Sequence, residues 1–124
     1  MNKKRPMNLD LRSIQFPLTA IGSILHRISG FILFFFVPLL LWGLQTSLKS
    51  QTSFDSLSHY LANPWLAFVV WGFVAALIYH LLAGIRHLLM DIGIGETLRG
   101  ARGGVICVLV FSVVLIILVG VWLW

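Results

Sequence analysis

Long apolar runs alternate with short polar segments along this chain. Residues 28–48 contain no charged side chain, and residues 104–124 consist mostly of Val, Leu and Ile. A third run, from residue 64 to residue 85, is similarly apolar, and its helical pattern continues to residue 90. A helix needs about 20 apolar residues to cross a bilayer. The pattern therefore predicts three transmembrane helices, over residues 28–48, 64–90 and 104–124.

The polar segments predict how these spans are connected. Residues 1–16 form a basic N-terminal arm, residues 49–63 a loop with Ser and Asn turn residues, and residues 91–103 a glycine-rich loop. Pro38 predicts at most a kink in the first span, because neighbouring helices can satisfy the backbone groups that it frees. The expected fold is all-α, with a three-helix membrane domain over residues 17–124.

Composition supports a membrane protein and argues against an ordinary soluble domain and a nucleic-acid-binding protein. The chain is 59% hydrophobic and 10% charged, which leaves too little polar surface for an ordinary soluble domain. Its basic residues flank the apolar runs and form no continuous stripe with interleaved aromatic residues, so we expect no nucleic-acid partner. Cys107 is the single cysteine, which excludes a disulfide framework and a motif for covalent haem attachment.

The distribution of Lys and Arg predicts the orientation. The arm, Arg27 and the loop over residues 91–103 carry most of them, whereas the loop over residues 49–63 carries only Lys49. Positive residues accumulate on the cytoplasmic side, so the N terminus is predicted to be cytoplasmic and the C terminus periplasmic. We find no transit peptide, which favours the inner membrane of a bacterium. An aromatic belt at the periplasmic surface would contain Trp42, Trp65, Trp122 and Trp124.

His80 is the first candidate for chemistry, because it lies inside the second predicted span. An unpaired imidazole in hydrocarbon is costly, so an intramembrane histidine has either a packing partner on another helix or a function. The functional interpretation is an axial ligand of a b-type haem. We expect no other histidine of this chain at the depth of His80. A haem would then be five-coordinate or take its second ligand from another subunit.

His87 follows on the same helix face as His80, with Gly84 between them. Asp91 lies one further turn along and is a suitable partner for His87 at i, i+4. Two roles for His87 stay open: a secondary role at the site, or a favourable cation at the C-terminal end of the helix. His59 falls in a predicted loop, where we expect it to be solvated.

A second polar cluster precedes the first predicted span. Ser23 and Arg27 are at i, i+4, and His26 is at i+3 from Ser23, so a helix presents all of them on one side. Arg27 alone is the interfacial anchor that topology already predicts. Together the cluster offers a hydroxyl and cationic donors, which suit either a quinone carbonyl or haem propionates.

Two segments resemble the signature regions of a known family. Residues 5–30, RPMNLDLRSIQFPLTAIGSILHRISG, and residues 80–93, HLLAGIRHLLMDIG, are similar to the cytochrome b556 subunit of proteobacterial succinate dehydrogenase. The similarity extends over the whole chain. It implies a membrane anchor of complex II, which serves aerobic respiration and the tricarboxylic acid cycle. In that complex a flavoprotein subunit oxidises succinate, an iron-sulfur subunit carries the electrons, and ubiquinone is reduced at the membrane.

The resemblance also implies partners and site residues. His80 matches the axial ligand of haem b, and the opposite ligand comes from a second membrane-anchor subunit in a heteromeric helix bundle. Ser23 and Arg27 match the quinone site, and His26 with Arg27 matches the region near the haem propionates. Succinate chemistry itself is not expected in this chain, which has no flavin motif and no cysteine cluster.

Other functions remain as alternatives. A fumarate reductase anchor is the nearest, because the direction of the reaction depends on the quinone and on the other subunits. A purely structural membrane tether would bind no haem. A transporter or channel is disfavoured, because no acidic residue lies in the middle of a predicted span.

Overall fold

A computed structural model describes residues 17–124, and this part of the chain is almost entirely helical. Its helices are α1 (Leu18–Lys49), α2 (Gln51–Leu61), α3 (Pro64–Asp91) and α4 (Leu98–Leu123). Of these, α1, α3 and α4 are long and apolar enough to cross a membrane. The prediction of an all-α fold with three transmembrane helices is confirmed. The predicted arm over residues 1–16 lies outside the described residues.

Capping side chains set the starts of α3 and α4. The Asn63 side chain accepts a hydrogen bond from the Trp65 backbone N–H, and Pro64 occupies the first turn of α3, where its missing N–H costs nothing. The Thr97 hydroxyl caps α4 by accepting from the Gly100 backbone N–H. As a result, α4 begins before the predicted span at residue 104, and the connection between α3 and α4 is shorter than predicted.

The first helix is also longer than the predicted span. α1 begins at Leu18, directly after Pro17, and continues without interruption through Pro38. The apolar run starts only at residue 28, because the first turns of α1 contain the polar residues of the candidate site. These residues therefore lie on α1 itself, as their i, i+3 and i, i+4 spacing predicted.

The prediction of a loop over residues 49–63 is wrong, because α2 occupies most of this segment. The Ser50 hydroxyl caps α2 by accepting from the Ser53 backbone N–H. The first helical turn of α2 is further stabilised by the Gln51 side-chain amide, which donates to the Asp55 carboxylate at 2.9 Å. The polar residues that indicated a turn instead supply a helix cap and an i, i+4 pair.

α3 is the central helix and packs against both α1 and α4. The Tyr79 hydroxyl donates to the Gly22 carbonyl oxygen at 2.9 Å, and the rings of Phe36 and Phe73 stack with centroids 4.8 Å apart. The residue numbers of these contacts increase along α1 and decrease along α3, so the two helices run antiparallel. Large apolar side chains stay exposed along the three long helices, as expected where lipid or partner subunits cover them.

Small residues allow α3 and α4 to approach closely. The Trp71 indole Nε1 donates to the Ile116 carbonyl oxygen at 2.9 Å, and the indole lies over Gly120. A Cβ atom at Gly120 would lie 3.1 Å from Trp71 Nε1, which is tighter than an ordinary contact. Membrane helices commonly use small residues in this way.

We expect Gly120→Ala to destabilise the contact between α3 and α4. The added methyl group would displace the indole of Trp71, and overpacking of this kind typically costs about 1–3 kcal/mol. The measurement is the thermal unfolding midpoint of the detergent-purified protein. Gly43→Ala is the matched control, because a Cβ atom there meets nothing within 4 Å in the described chain. Equal midpoints for the two variants would contradict this account of the packing.

Candidate functional site

The polar side chains singled out in the sequence meet where α1 passes α3. The His26 ring lies between the rings of His80 and His87, with centroid distances of 4.4 Å to His80 and 5.1 Å to His87. We refer to these three residues as the histidine cluster. The cluster joins one residue of α1 to two residues of α3 that share a helix face.

The prediction that no other histidine lies at the depth of His80 is wrong, because His26 is in direct contact with it. α1 starts at Leu18, so His26 is about 12 Å into the helix at 1.5 Å per residue. The sequence interpretation took residue 28 as the start of the span and so placed His26 at its entrance. The earlier helix start puts His26 opposite His80 in the antiparallel pair.

Ser29 contacts His80 and was not predicted as a site residue. The Ser29 hydroxyl is buried and donates to the His26 carbonyl oxygen at 2.7 Å. His80 Nδ1 lies 3.1 Å from Ser29 Oγ and 3.3 Å from the same carbonyl oxygen. Both hydrogen-bond contacts of the His80 ring are made by Nδ1, and Nε2 makes no hydrogen bond to any described residue. The position of Ser29 three residues after His26 is the signal that could have revealed it.

Glycines allow the imidazole rings to lie close to helix backbones. A Cβ atom at Gly30 would lie 3.0 Å from Cε1 and 3.4 Å from Nδ1 of His80. A Cβ atom at Gly84 would lie 3.8 Å from His26 Nε2. That Nε2 atom is buried and has no hydrogen-bond partner among residues 17–124.

Ser23 lies at a cavity next to the histidine cluster. The cavity has a volume of about 460 Å³ and is bounded by α1, α3 and the first turns of α4. His87 and Arg86 line it together with Ser23. Arg27 follows Ser23 by one turn of α1, is exposed, and is not among the residues that line this cavity.

Arg86 belongs to the second signature segment but was not predicted as a site residue. Its Nη2 donates to the Ala101 carbonyl oxygen at 3.2 Å, and its side chain crosses Gly104, where a Cβ atom would lie 3.1 Å from Nε. Arg86 thereby connects α3 to α4 and brings a positive charge to the edge of the cavity that contains Ser23. An arginine directly preceding His87 is the sequence signal for it.

The remaining candidates lie outside the histidine cluster. Asp91 is the exposed last residue of α3, and the close ring contact of His87 is with His26. Cys107 is exposed and has a free thiol. Within the described part of the chain, no three His, Cys, Asp or Glu side chains are grouped so that they could hold a metal ion.

Comparison with known proteins identifies the family. The family described as succinate dehydrogenase/fumarate reductase transmembrane subunit matches residues 1–119. The chain belongs to this family. The resemblance seen in the two signature segments is therefore confirmed, and the chain is an anchor subunit of a succinate dehydrogenase or fumarate reductase. Such a subunit resides in a membrane, which it crosses several times, and associates with the other subunits of its enzyme.

Similar proteins cover nearly the whole chain. The succinate dehydrogenase cytochrome b556 subunit of Coxiella burnetii is 46% identical over 125 residues, which span 100% of both chains. The protein of the same name from Paracoccus denitrificans is 36% identical over 115 residues, 92% of this chain and 88% of its own. That of Rickettsia typhi is 36% identical over 118 residues, with coverage of 95% and 92%.

Proposed function

We propose that this anchor subunit binds haem b through His80 and forms part of the ubiquinone site of a succinate:ubiquinone oxidoreductase. The observation that carries the proposal is the His80 imidazole, which contacts its own chain through Nδ1 and keeps Nε2 available for a metal. The name cytochrome b556 of the similar proteins supports a b-type haem. When bound, such a haem supplies a one-electron redox centre.

The residues present fit a haem that this chain holds from one side only. The rings of His26 and His80 are in direct contact, with centroids 4.4 Å apart, so no metal ion would fit between them and His80 would be the one haem ligand from this chain. We infer that the second membrane-anchor subunit contributes the opposite ligand.

His26 and Arg27 have a different role in this proposal. His26 Nε2 is buried without a partner among the described residues, and a buried polar atom normally has a hydrogen-bond partner. His26 would lie near a propionate in this proposal, with its Nε2 facing Gly84 of α3 and closed to groups from outside the chain. The exposed guanidinium of Arg27 is suited to pair with the same carboxylate charge.

Ser23 and Arg27 are the proposed quinone-binding residues. The cavity beside Ser23 is within the usual size range of small-molecule sites, about 300–1,000 Å³. The Ser23 hydroxyl can donate to a quinone oxygen, and the guanidinium of Arg27 favours the negative charge that develops there during reduction. His87 lines the cavity that contains Ser23, which favours its secondary role at the site over a purely capping role. Asp91, one turn further along α3, is the second residue of this proposed secondary role.

The proposed orientation places the histidine cluster towards the cytoplasm, in the inner membrane of a bacterium. Lys and Arg concentrate on the side of the N terminus, which supports a cytoplasmic N terminus and a periplasmic C terminus. The second anchor, the iron-sulfur subunit and the flavoprotein subunit are the proposed partners. A fumarate reductase anchor is the second candidate, because the family description includes both enzymes.

A spectrum of the purified complex tests this function. We expect a b-type haem band in the reduced-minus-oxidised difference spectrum, together with the three partner subunits identified by mass spectrometry. A complex that contains all of these subunits but no haem band would favour a structural tether. The ratio of succinate oxidation to fumarate reduction in the same preparation separates the two candidate enzymes.

A further inference from the structure

We propose that Ser29 and Gly30 are positioning residues for His80, which together present its Nε2 as the metal-binding nitrogen. Ser29 selects the tautomer of the imidazole, and Gly30 sets the position of the ring. This inference rests on the proposed role of His80 as the haem ligand. It assigns a function to two neighbouring residues of α1 that do not touch the metal themselves.

The hydrogen bonds around Ser29 select one tautomer. The hydroxyl hydrogen of Ser29 is used in the 2.7 Å bond to the His26 carbonyl oxygen. Ser29 Oγ can then only accept from His80 Nδ1, 3.1 Å away, and the carbonyl oxygen at 3.3 Å is also only an acceptor. His80 Nδ1 must therefore carry the proton, which leaves the lone pair on Nε2. A neutral imidazole in this tautomer binds a metal through Nε2.

The burial of Ser29 strengthens this arrangement. The residue is 5% exposed, so water does not compete for its hydroxyl, and its bond within α1 fixes the direction of that hydroxyl. A hydroxyl that already donates one hydrogen bond is also a better acceptor for another. An N–H that donates from a metal-bound imidazole raises the basicity of the ligand and holds the ring in place.

Gly30 sets the position of the His80 ring because it leaves room for that ring against α1. The distance of 3.0 Å from a Cβ atom to His80 Cε1 is one that real Cβ atoms rarely show, and Cε1 adjoins Nε2 in the ring. An alanine would therefore push the imidazole away from α1 and move Nε2 with it. Because Gly30 directly follows Ser29, one short segment of α1 sets both the tautomer and the position.

The experiment compares Ser29→Ala, Ser29→Thr and Gly30→Ala in the complete complex. Haem retention is followed as the rate of haem transfer to excess apomyoglobin, and the haem midpoint potential is titrated separately. Loss of a hydrogen bond to a ligating histidine typically costs about 10- to 100-fold in metal affinity. We expect roughly 10-fold faster haem loss from Ser29→Ala, at the lower end of that range because the His26 carbonyl remains as an acceptor.

The direction of the potential separates positioning from a general loss of packing. A less basic ligand stabilises ferric iron less, so Ser29→Ala should shift the midpoint potential to more positive values. Ser29→Thr retains a hydroxyl that can make the same bond within the helix, and it should keep both parameters near those of the parent. Gly30→Ala should accelerate haem loss and change the low-spin EPR signal, because the imidazole plane moves.

The chain offers two matched controls for Ser29. Ser47 makes the same bond within α1, donating to the Leu44 carbonyl oxygen at 2.7 Å, but it is far from the histidine cluster along the helix. Ser112 of α4 is 2% exposed and has no hydrogen-bond partner among the described residues. Ser47→Ala controls for the loss of the helix bond, and Ser112→Ala for the loss of a buried hydroxyl. Both should retain haem as the parent does.

The outcomes distinguish this inference from the proposed function. If His80→Ala keeps the haem, the ligand assignment itself fails. If His80→Ala loses the haem while Ser29→Ala and Gly30→Ala behave like Ser47→Ala, the ligand assignment stands and the positioning role is overturned. Should Ser29→Ala fail to assemble, Gly30→Ala decides by the same measurements, with Gly43→Ala as its control.

Discussion

Substitution of His80 by alanine is expected to abolish the b-type haem band of the assembled complex. The methyl group of alanine cannot bind a metal. The nearest imidazole is that of His26, which belongs to α1 and contacts His80 from that helix, so it is not placed to replace His80 as the ligand. The loss of haem affinity should exceed the roughly 10- to 100-fold that removal of a supporting hydrogen bond costs. Haem per complex, measured as pyridine haemochrome against subunit content, gives the result directly.

Two further variants sharpen this prediction. His59→Ala changes an exposed histidine of α2 and should leave the haem content unchanged. His26→Ala removes a ring that packs against His80 but no proposed ligand, so the complex should retain part of its haem. An unaltered spectrum in an assembled His80→Ala complex would remove the ligand assignment.

The second large effect is expected for quinone reduction. Ser23→Ala and Arg27→Leu should each lower succinate:ubiquinone reductase activity by about 10-fold or more, because each removes a donor or charge from the reacting quinone oxygen. Succinate oxidation with a soluble artificial acceptor should persist, because the proposed site of that chemistry is in other subunits. Ser47→Ala serves as the control for loss of a hydroxyl from α1.

A double variant tests whether Ser23 and Arg27 act on the same quinone. Arg27 does not line the cavity that contains Ser23, so a shared ligand has to be demonstrated. Residues that act on one ligand show non-additive losses, and the double variant should therefore lose less than the product of the two single losses. A loss equal to the product would indicate independent roles. An equal decrease of quinone reduction and artificial-acceptor activity would argue against a quinone-binding role.

Helix starts limited how well the sequence predicted the fold. Hydropathy detects the part of a helix that lies in hydrocarbon, whereas the polar first turns of α1 and α4 carry no such signal. The Ser-rich segment before α3 is ambiguous for a related reason: hydroxyl side chains that favour turns also cap helices, and Ser50 does the latter.

The sequence by itself determined the three transmembrane helices, their order and the chemical types of the candidate residues, because the length of an apolar run and the spacing along one helix are local properties. Only the tertiary structure decided which residues of different helices meet. The contact of His26 with His80 and the hydrogen-bond contact between His80 Nδ1 and Ser29 Oγ both depend on the register between α1 and α3. That register is set by close packing at positions such as Gly30, where the absence of a side chain admits an imidazole from a residue far away in the sequence.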